Sequence, residues 1–424
     1  MKRRLLALLL PLAMMAGTLT GCQGQADMEE STDSAQEALS ETVVSDKNVS
    51  LTLWGAAEDA ELLSELVESF KQHYAEQADF EITIVAQGEA DCKEALFNDI
   101  EGGADVFAFA DDQLRAMVAA GALSPVENAD AVKNANIEAA NEAASVNDKL
   151  YAYPMTADNG YFLYYNKEYF SDEDVKELDA ILQIAADHGK KMTMDWSSGW
   201  YLYSFFGCTG LEVGLNDDGV SNFCNWNAID TSVKGTDVAK AMMAIAANPG
   251  FSNGIDADFI AGVQDGSVIA GISGVWDSVP IEKAWGSDYG AVKLPTYTCA
   301  GNQIQMASFA GYKMLGVNAY SNHVEWAHKL AEWITNEENQ TLRFLRRGQG
   351  PSNINASSSA EVLKSPAIQA VLKQSEFASL QRIGGTYWIP VQTFGETLAA
   401  GNPQGKDLQE LLDTMVEAVT ESYN

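Results

Sequence analysis

Trp54 is followed four residues later by Glu58, and Phe109 is followed by Asp111, Asp112 and Gln113. Each aromatic, like Trp276, stands at the end of a short apolar run that reads as a β-strand. An aromatic ring beside carboxylates or amides suits a sugar. The ring covers an apolar C–H face, and the polar groups accept hydrogen bonds from hydroxyls. Ordinary packing explains any one of these aromatics, so their coincidence at strand ends is what selects a site. In open parallel sheets, ligands bind outside the carboxyl ends of the strands.

Other chemistries find less support. Asp111 and Asp112 are adjacent, so their side chains diverge, whereas glycoside hydrolysis needs two carboxyls facing each other at about 5–10 Å. Glu58 and Asp158 facing across a cleft stays open, although carboxylates in sugar sites are commonly hydroxyl acceptors. His73, His188, His323 and His328 are scattered on polar, helix-like stretches. The chain has no His-Glu-x-x-His, Gly-x-Ser-x-Gly or phosphate-loop motif. Residues 216–222 lack calcium-loop spacing and read as a turn. No enzyme activity, cofactor or metal is expected. A cationic ligand would also suit aromatics among carboxylates. An adhesin lacks its usual repeats.

The elements that must carry these residues alternate. Residues 51–54 form a strand, and Leu62, Leu63, Leu66, Val67, Phe70 and Tyr74 line one face of a helix with Asp59 as its expected N-cap. Strands follow at 80–85 and 105–110, with helices at 93–100 and from Leu114 to a stop at Gly121. Further helices are expected at 181–188, at 324–346 with Trp326 and Trp333 in the core, and around Leu408 to Val419; strands are expected at 268–276 and 289–294. Such alternation predicts an α/β fold with parallel strands.

The chain has 424 residues, which suggests two lobes, and its net charge is −34. That charge repels nucleic acid and anionic lipid, so no nucleic-acid partner is expected. Lys2, Arg3 and Arg4 precede an apolar run that ends in Leu19-Thr20-Gly21-Cys22. The pattern resembles a bacterial lipoprotein signal (residues 1–21), which would leave Cys22 acylated, for example with palmitate, and anchored outside the cell membrane. Residues 22–48, acidic and without aromatics, read as a flexible tether. No later run is long and apolar enough to span a bilayer. Cys208 and Cys224 flank a turn-like stretch, and the sequence leaves open whether they pair or stay as free thiols.

Several segments together resemble the solute-binding proteins of ABC sugar importers, in particular the maltose/maltodextrin-binding branch. They are 103–113 (GADVFAFADDQ) continuing to 119–123 (AAGAL), 151–158 (YAYPMTAD) with 164–167 (YYNK), 272–276 (ISGVW) with 290–295 (GAVKLP), and 309–318 (FAGYKMLGVN) with 327–332 (AHKLAE). Their order and spacing carry the resemblance over residues 50–424. It implies a periplasmic-binding-protein-like fold of two α/β lobes with a ligand cleft at the hinge. The first lobe would comprise 49–157 and 308–362, and the second 158–307 and 363–424. By the same resemblance Trp54, Phe109, Trp200 with its neighbour Tyr201, Trp276 and Trp388 supply stacking faces. Glu58, Asp112 and either Asp158 or Asn159 accept hydroxyls. Gln113 and Gln392 stand where the family often has arginine, so those contacts are altered. The implied protein is a monomer that captures malto-oligosaccharides and delivers them to permease subunits.

Overall fold

The computed structural model describes residues 47–216, 218 and 220–421. The signal, Cys22 and nearly all of the tether lie outside the described residues. Among those described, no helix is long and apolar enough to cross a membrane.

Ten strands form one sheet. They are β1 (Asn48–Gly55), β2 (Asp79–Ala86), β3 (Val106–Ala110), β4 (Ala152–Asn166), β5 (Lys191–Met194), β6 (Phe251–Asn253), β7 (Val268–Gly274), β8 (Tyr289–Val292), β9 (Ser308–Val317) and β10 (Ala378–Leu380). The order is β6–β5–β7–β4–β9–β3–β1–β2, with β8 also paired to β4 and β10 to β9. The helices used below are α1 (Ala60–His73), α2 (Cys92–Asn98), α3 (Leu114–Ala119), α4 (Leu178–Asp187), α5 (Gly199–Phe206), α6 (Asp256–Asp265), α7 (Val324–Thr335), α8 (Glu337–Arg347), α9 (Trp388–Ala399) and α10 (Leu408–Val419).

The alternation in β1 buries Val49, Leu51 and Leu53 on one face. β1 pairs in parallel with both β2 and β3. In β3, Val106 to Phe109 are all buried, as expected of a strand covered on both faces. α1 turns Leu62, Leu63, Leu66, Val67 and Phe70 into the same core.

β4 joins the two halves. Its first part pairs antiparallel with β9, from Ala152 opposite Gly316 to Gly160 opposite Ala310. Its second part, from Tyr161, pairs with β7 and β8. The core divides at the same place. One cluster gathers Leu51, Phe70, Phe107, Phe109, Tyr153 and Leu330. Another gathers Tyr161, Trp196, Phe206, Trp226, Phe309 and Tyr387. A smaller cluster of Phe162, Tyr164, Phe259 and Ile368 covers a further part of the second half. The fold is the two-lobed α/β fold expected. Phe309, on β9, stacks its ring on Tyr203 with centroids 4.0 Å apart, so β9 reaches into the second cluster.

The structure departs from the sequence reading in three local features. The helix expected over 324–346 breaks into α7 and α8, because the Asn336 side chain accepts the Asn339 N–H at 2.8 Å and caps a new start. Asp59 makes no capping bond; its buried carboxylate accepts from Arg343 and, at 2.8 Å, from Arg347 Nε. His328 is buried rather than on a polar face, with Nε2 2.9 Å from Ser124 Oγ and Nδ1 3.0 Å from Tyr153 Oη. Cys208 and Cys224 are free thiols.

The Asp59 pair ties the turn carrying Glu58 to α8. Burial alone would raise the Asp59 pKa, yet Arg343 and Arg347 hold it below the usual carboxylate range. Removing one partner leaves a buried charge uncompensated. Asp59→Asn should therefore lower the unfolding free energy by about 3–5 kcal/mol in denaturant titration; a change within experimental error would contradict the pairing.

Candidate ligand cleft

The candidate residues sit at element ends. Glu58 lies on the turn Ala57–Asp59 after β1, Asp111 to Gln113 on the turn after β3, and Trp276 on the turn Val275–Asp277 after β7. Trp200 and Trp388 lie at the starts of α5 and α9.

Trp200, Trp276 and Trp388 are half-buried against one core, that of the second half. The Trp388 ring packs against Gly199, the residue before Trp200. A Cβ there would come within 2.9 Å of Tyr387 and 3.5 Å of Trp388, and the Tyr387 hydroxyl donates to the Gly199 carbonyl at 2.9 Å. Tyr161 Oη donates to the Trp200 carbonyl at 2.8 Å, and the Phe309 ring lies 5.5 Å from the Trp200 ring. Trp276 folds back over Gly274, where a Cβ would collide with the indole. Its Nε1–H donates to Asp256 Oδ2 at 2.9 Å. Lys313 Nζ, from β9, lies 5.5 Å from the ring centroid, within cation–π range.

Asp256 also accepts from Tyr201 Oη at 2.9 Å. Tyr201 is thus buried support and not a stacking face. Ser273 Oγ donates to Asp277 Oδ2 at 2.7 Å. Burial, then the neighbouring Asp256, pushes the Asp277 carboxyl up to about 7, and Glu58 adds to that rise.

The first-half residues divide differently. Trp54 is half-buried against its core and Glu58 is exposed. Phe109 does not offer a stacking face: it is fully buried, its ring 5.9 Å from Phe107, and both rings pack over Gly316. Gln113 is also structural. Its amide donates to the carbonyls of Glu89 at 2.6 Å and Ala90 at 3.1 Å and accepts from Lys93 N–H at 2.8 Å, holding the loop before α2. Asp112 Oδ2 accepts from Gln381 Nε2 at 2.7 Å, while Oδ1 is buried without a protein partner. Burial, then Asp111, pushes its carboxyl up to about 7. Asp111 instead pairs with Arg382 at 2.7 Å and accepts the Tyr312 N–H at 2.9 Å.

Of the two residues at the crossover, Asp158 is buried and accepts the Gly350 N–H, so it pins the chain segment after α8. Asn159 is only partly buried and lies beside Gly311. Gln392 is exposed, one turn along α9 from Trp388, and donates to Glu396 at 2.9 Å.

Sequence reasoning missed Lys313, Glu89, Asp256 and the Gln381–Arg382 pair. Lys313 lies 3.5 Å from Glu89, and nearby carboxylates, Glu89 first, outweigh its burial and raise its pKa. A lysine inside the otherwise apolar β9 was a readable signal. Asp256 carried none, since an aspartate opening a helix is commonplace.

Half-exposed tryptophans at element ends, over a hinge of shared strands, define a two-lobed ligand-binding protein. A family model described as "Bacterial extracellular solute-binding protein" matches residues 65–370, and the chain belongs to that family. A "Galactooligosaccharide-binding protein" of Bacillus subtilis (strain 168) is 26% identical over 399 residues, covering 88% of this chain and 89% of its own. A "Maltooligosaccharide ABC transporter solute-binding lipoprotein" of Streptococcus pneumoniae (strain ATCC BAA-255 / R6) is 26% identical over 350 residues, covering 76% of this chain and 78% of its own. A structure solved with acarbose is similar with a TM-score of 0.78 at 28% identity, over 88% of this chain and 99% of that one. The maltodextrin-binding protein MalE1 from L. casei BL23, without ligand, gives 0.72 at 25% identity, over 88% of this chain and all of that one.

Burial raises the Asp158 carboxyl to about 6, against the opposing hydrogen bond from the Gly350 N–H. A folded pKa above the unfolded value contributes stability that is lost as pH rises through the folded pKa. Asp158→Asn removes that titration. The variant's melting temperature should therefore rise relative to wild type as pH increases from 4 to 7; a pH-independent difference would contradict this.

Proposed function

We propose that this protein is an extracytoplasmic, lipid-anchored binding protein that captures a malto-oligosaccharide and presents it to an ABC permease. The observation that carries the reading is the wall of Trp200, Trp276 and Trp388, three half-exposed rings on one core. Trp54, half-buried against the other core, supplies the stacking face of the other lobe in this reading. The buried, unpartnered Oδ1 of Asp112, with Glu58 and Asn159, accepts sugar hydroxyls. The two solved structures cited above, one with acarbose and one a maltodextrin-binding protein, support the α-glucan class. The anchor rests on the Leu19-Thr20-Gly21-Cys22 motif, with support from the pneumococcal relative described as a lipoprotein.

The lobes comprise 49–157 with 308–362, and 158–307 with 363–424. β4, β9 and the segment around β10 form the hinge. A ligand that contacts both lobes favours the closed arrangement by its differential affinity. The protein binds without altering its sugar.

The relative from B. subtilis, which covers more of the chain than the pneumococcal one, makes a galacto-oligosaccharide the second reading. Calorimetry of the mature protein with maltose to maltoheptaose and with galacto-oligosaccharides separates the two. Saturable heat with the malto series alone is expected; heat only with the galacto series would overturn the α-glucan assignment. Trp388→Ala should weaken malto-oligosaccharide binding at least tenfold, about 1.4 kcal/mol. An unchanged affinity would remove Trp388 from the site.

A further inference from the structure

Asp256 is the first residue of α6, yet it plays no part in capping that helix. The neighbouring Asp258 takes that role, accepting from the Ile255 N–H at 3.3 Å. The Asp256 carboxylate is left to the cleft wall, where three elements meet on it. Oδ2 accepts from the indole of Trp276, after β7, at 2.9 Å. Oδ1 accepts from the hydroxyl of Tyr201, on α5, at 2.9 Å, and Ser273 Oγ, on β7, lies 3.4 Å away with its hydrogen directed to Asp277.

An indole nitrogen only donates, and both oxygens of a carboxylate accept. Asp256 can therefore accept from Trp276 and Tyr201 at once through separate oxygens, whereas an asparagine would keep both only with Tyr201 turned to accept from its amide. Gly274 and Lys313 lie against the ring, and Nε1–H is the hydrogen bond that fixes its orientation. A ring fixed before binding loses less freedom when a ligand stacks on it.

We infer that Asp256 is a positioning residue that locks the Trp276 indole plane against Tyr201, and so sets the stacking face for the sugar. The assignment of that face to a sugar rests on the oligosaccharide reading above; the locking of the ring does not.

The test uses the mature protein labelled with 5-fluorotryptophan, with the Trp276 fluorine line identified by its loss in Trp276→Phe. In Asp256→Ala that line should shift and broaden, while the lines of Trp326 and Trp333 in the other lobe stay in place. Asp256→Asn should fall between Asp256→Ala and wild type. Maltotetraose affinity measured by calorimetry should drop at least tenfold in Asp256→Ala, and Asp256→Ala should cost less than twofold when added to Trp276→Ala.

An unmoved Trp276 line would overturn the inference. So would a full tenfold loss in the Trp276→Ala background, because Asp256 would then meet the sugar itself. If wild type binds no maltotetraose, the α-glucan reading fails alone, and the fluorine line still decides whether Asp256 holds the ring.

Discussion

Strand β4 belongs to both halves of the sheet, and the rest of the structure depends on that. Over fifteen residues it passes from pairing with β9 to pairing with β7 and β8. Two hydrophobic cores are thereby joined through backbone hydrogen bonds instead of a loose linker. β9 repeats the device in reverse, touching β3 at one end and β10 at the other. Between Gly311 and Met314 its register against β4 shifts twice. That irregularity falls where Lys313 leaves an apolar strand and stands beside Trp276. The candidate site lies beside this irregularity in the ladder, as expected where one strand must serve both halves of a sheet.

Around this crossing the two halves contribute different chemistry. The first supplies buried charges: Asp59, paired with Arg343 and Arg347 of the same half, and Asp111, paired with Arg382 across the crossing, where the Gly350 amide likewise meets Asp158. Such pairs add little net stability, but each binds a loop to a neighbouring element. The second half supplies aromatic faces on a packed core. A polar floor with an aromatic wall suits a ligand that is amphipathic in cross-section. The proposed closure brings them together.

Much of this arrangement was legible in the chain. Alternation in β1 and the three- and four-residue spacing in α1 follow directly from which face is buried. Trp276 stands on the turn after a strand, as the sequence reading places it, because the end of a strand is a position and not merely a composition. Phe109 failed the same logic because its strand is covered on both faces, so a ring at its end turns into the core as easily as toward the cleft. Gln113, Asp158 and Tyr201 are held by protein partners that the sequence does not reveal. Whether a polar group near a site meets the ligand or holds another residue depends on partners far apart in sequence. Asp158 with Gly350 and Asp256 with Tyr201 and Trp276 are such cases. The break at Asn336 was a capping asparagine overlooked inside an amphipathic run.

The central claim is that the two lobes close over an oligosaccharide about the β4–β9 hinge. Small-angle X-ray scattering of the mature protein, titrated with maltotetraose to saturation, tests it most directly. The radius of gyration should fall with ligand concentration and level off at one equivalent. A saturating calorimetric signal with an unchanged radius of gyration would contradict it.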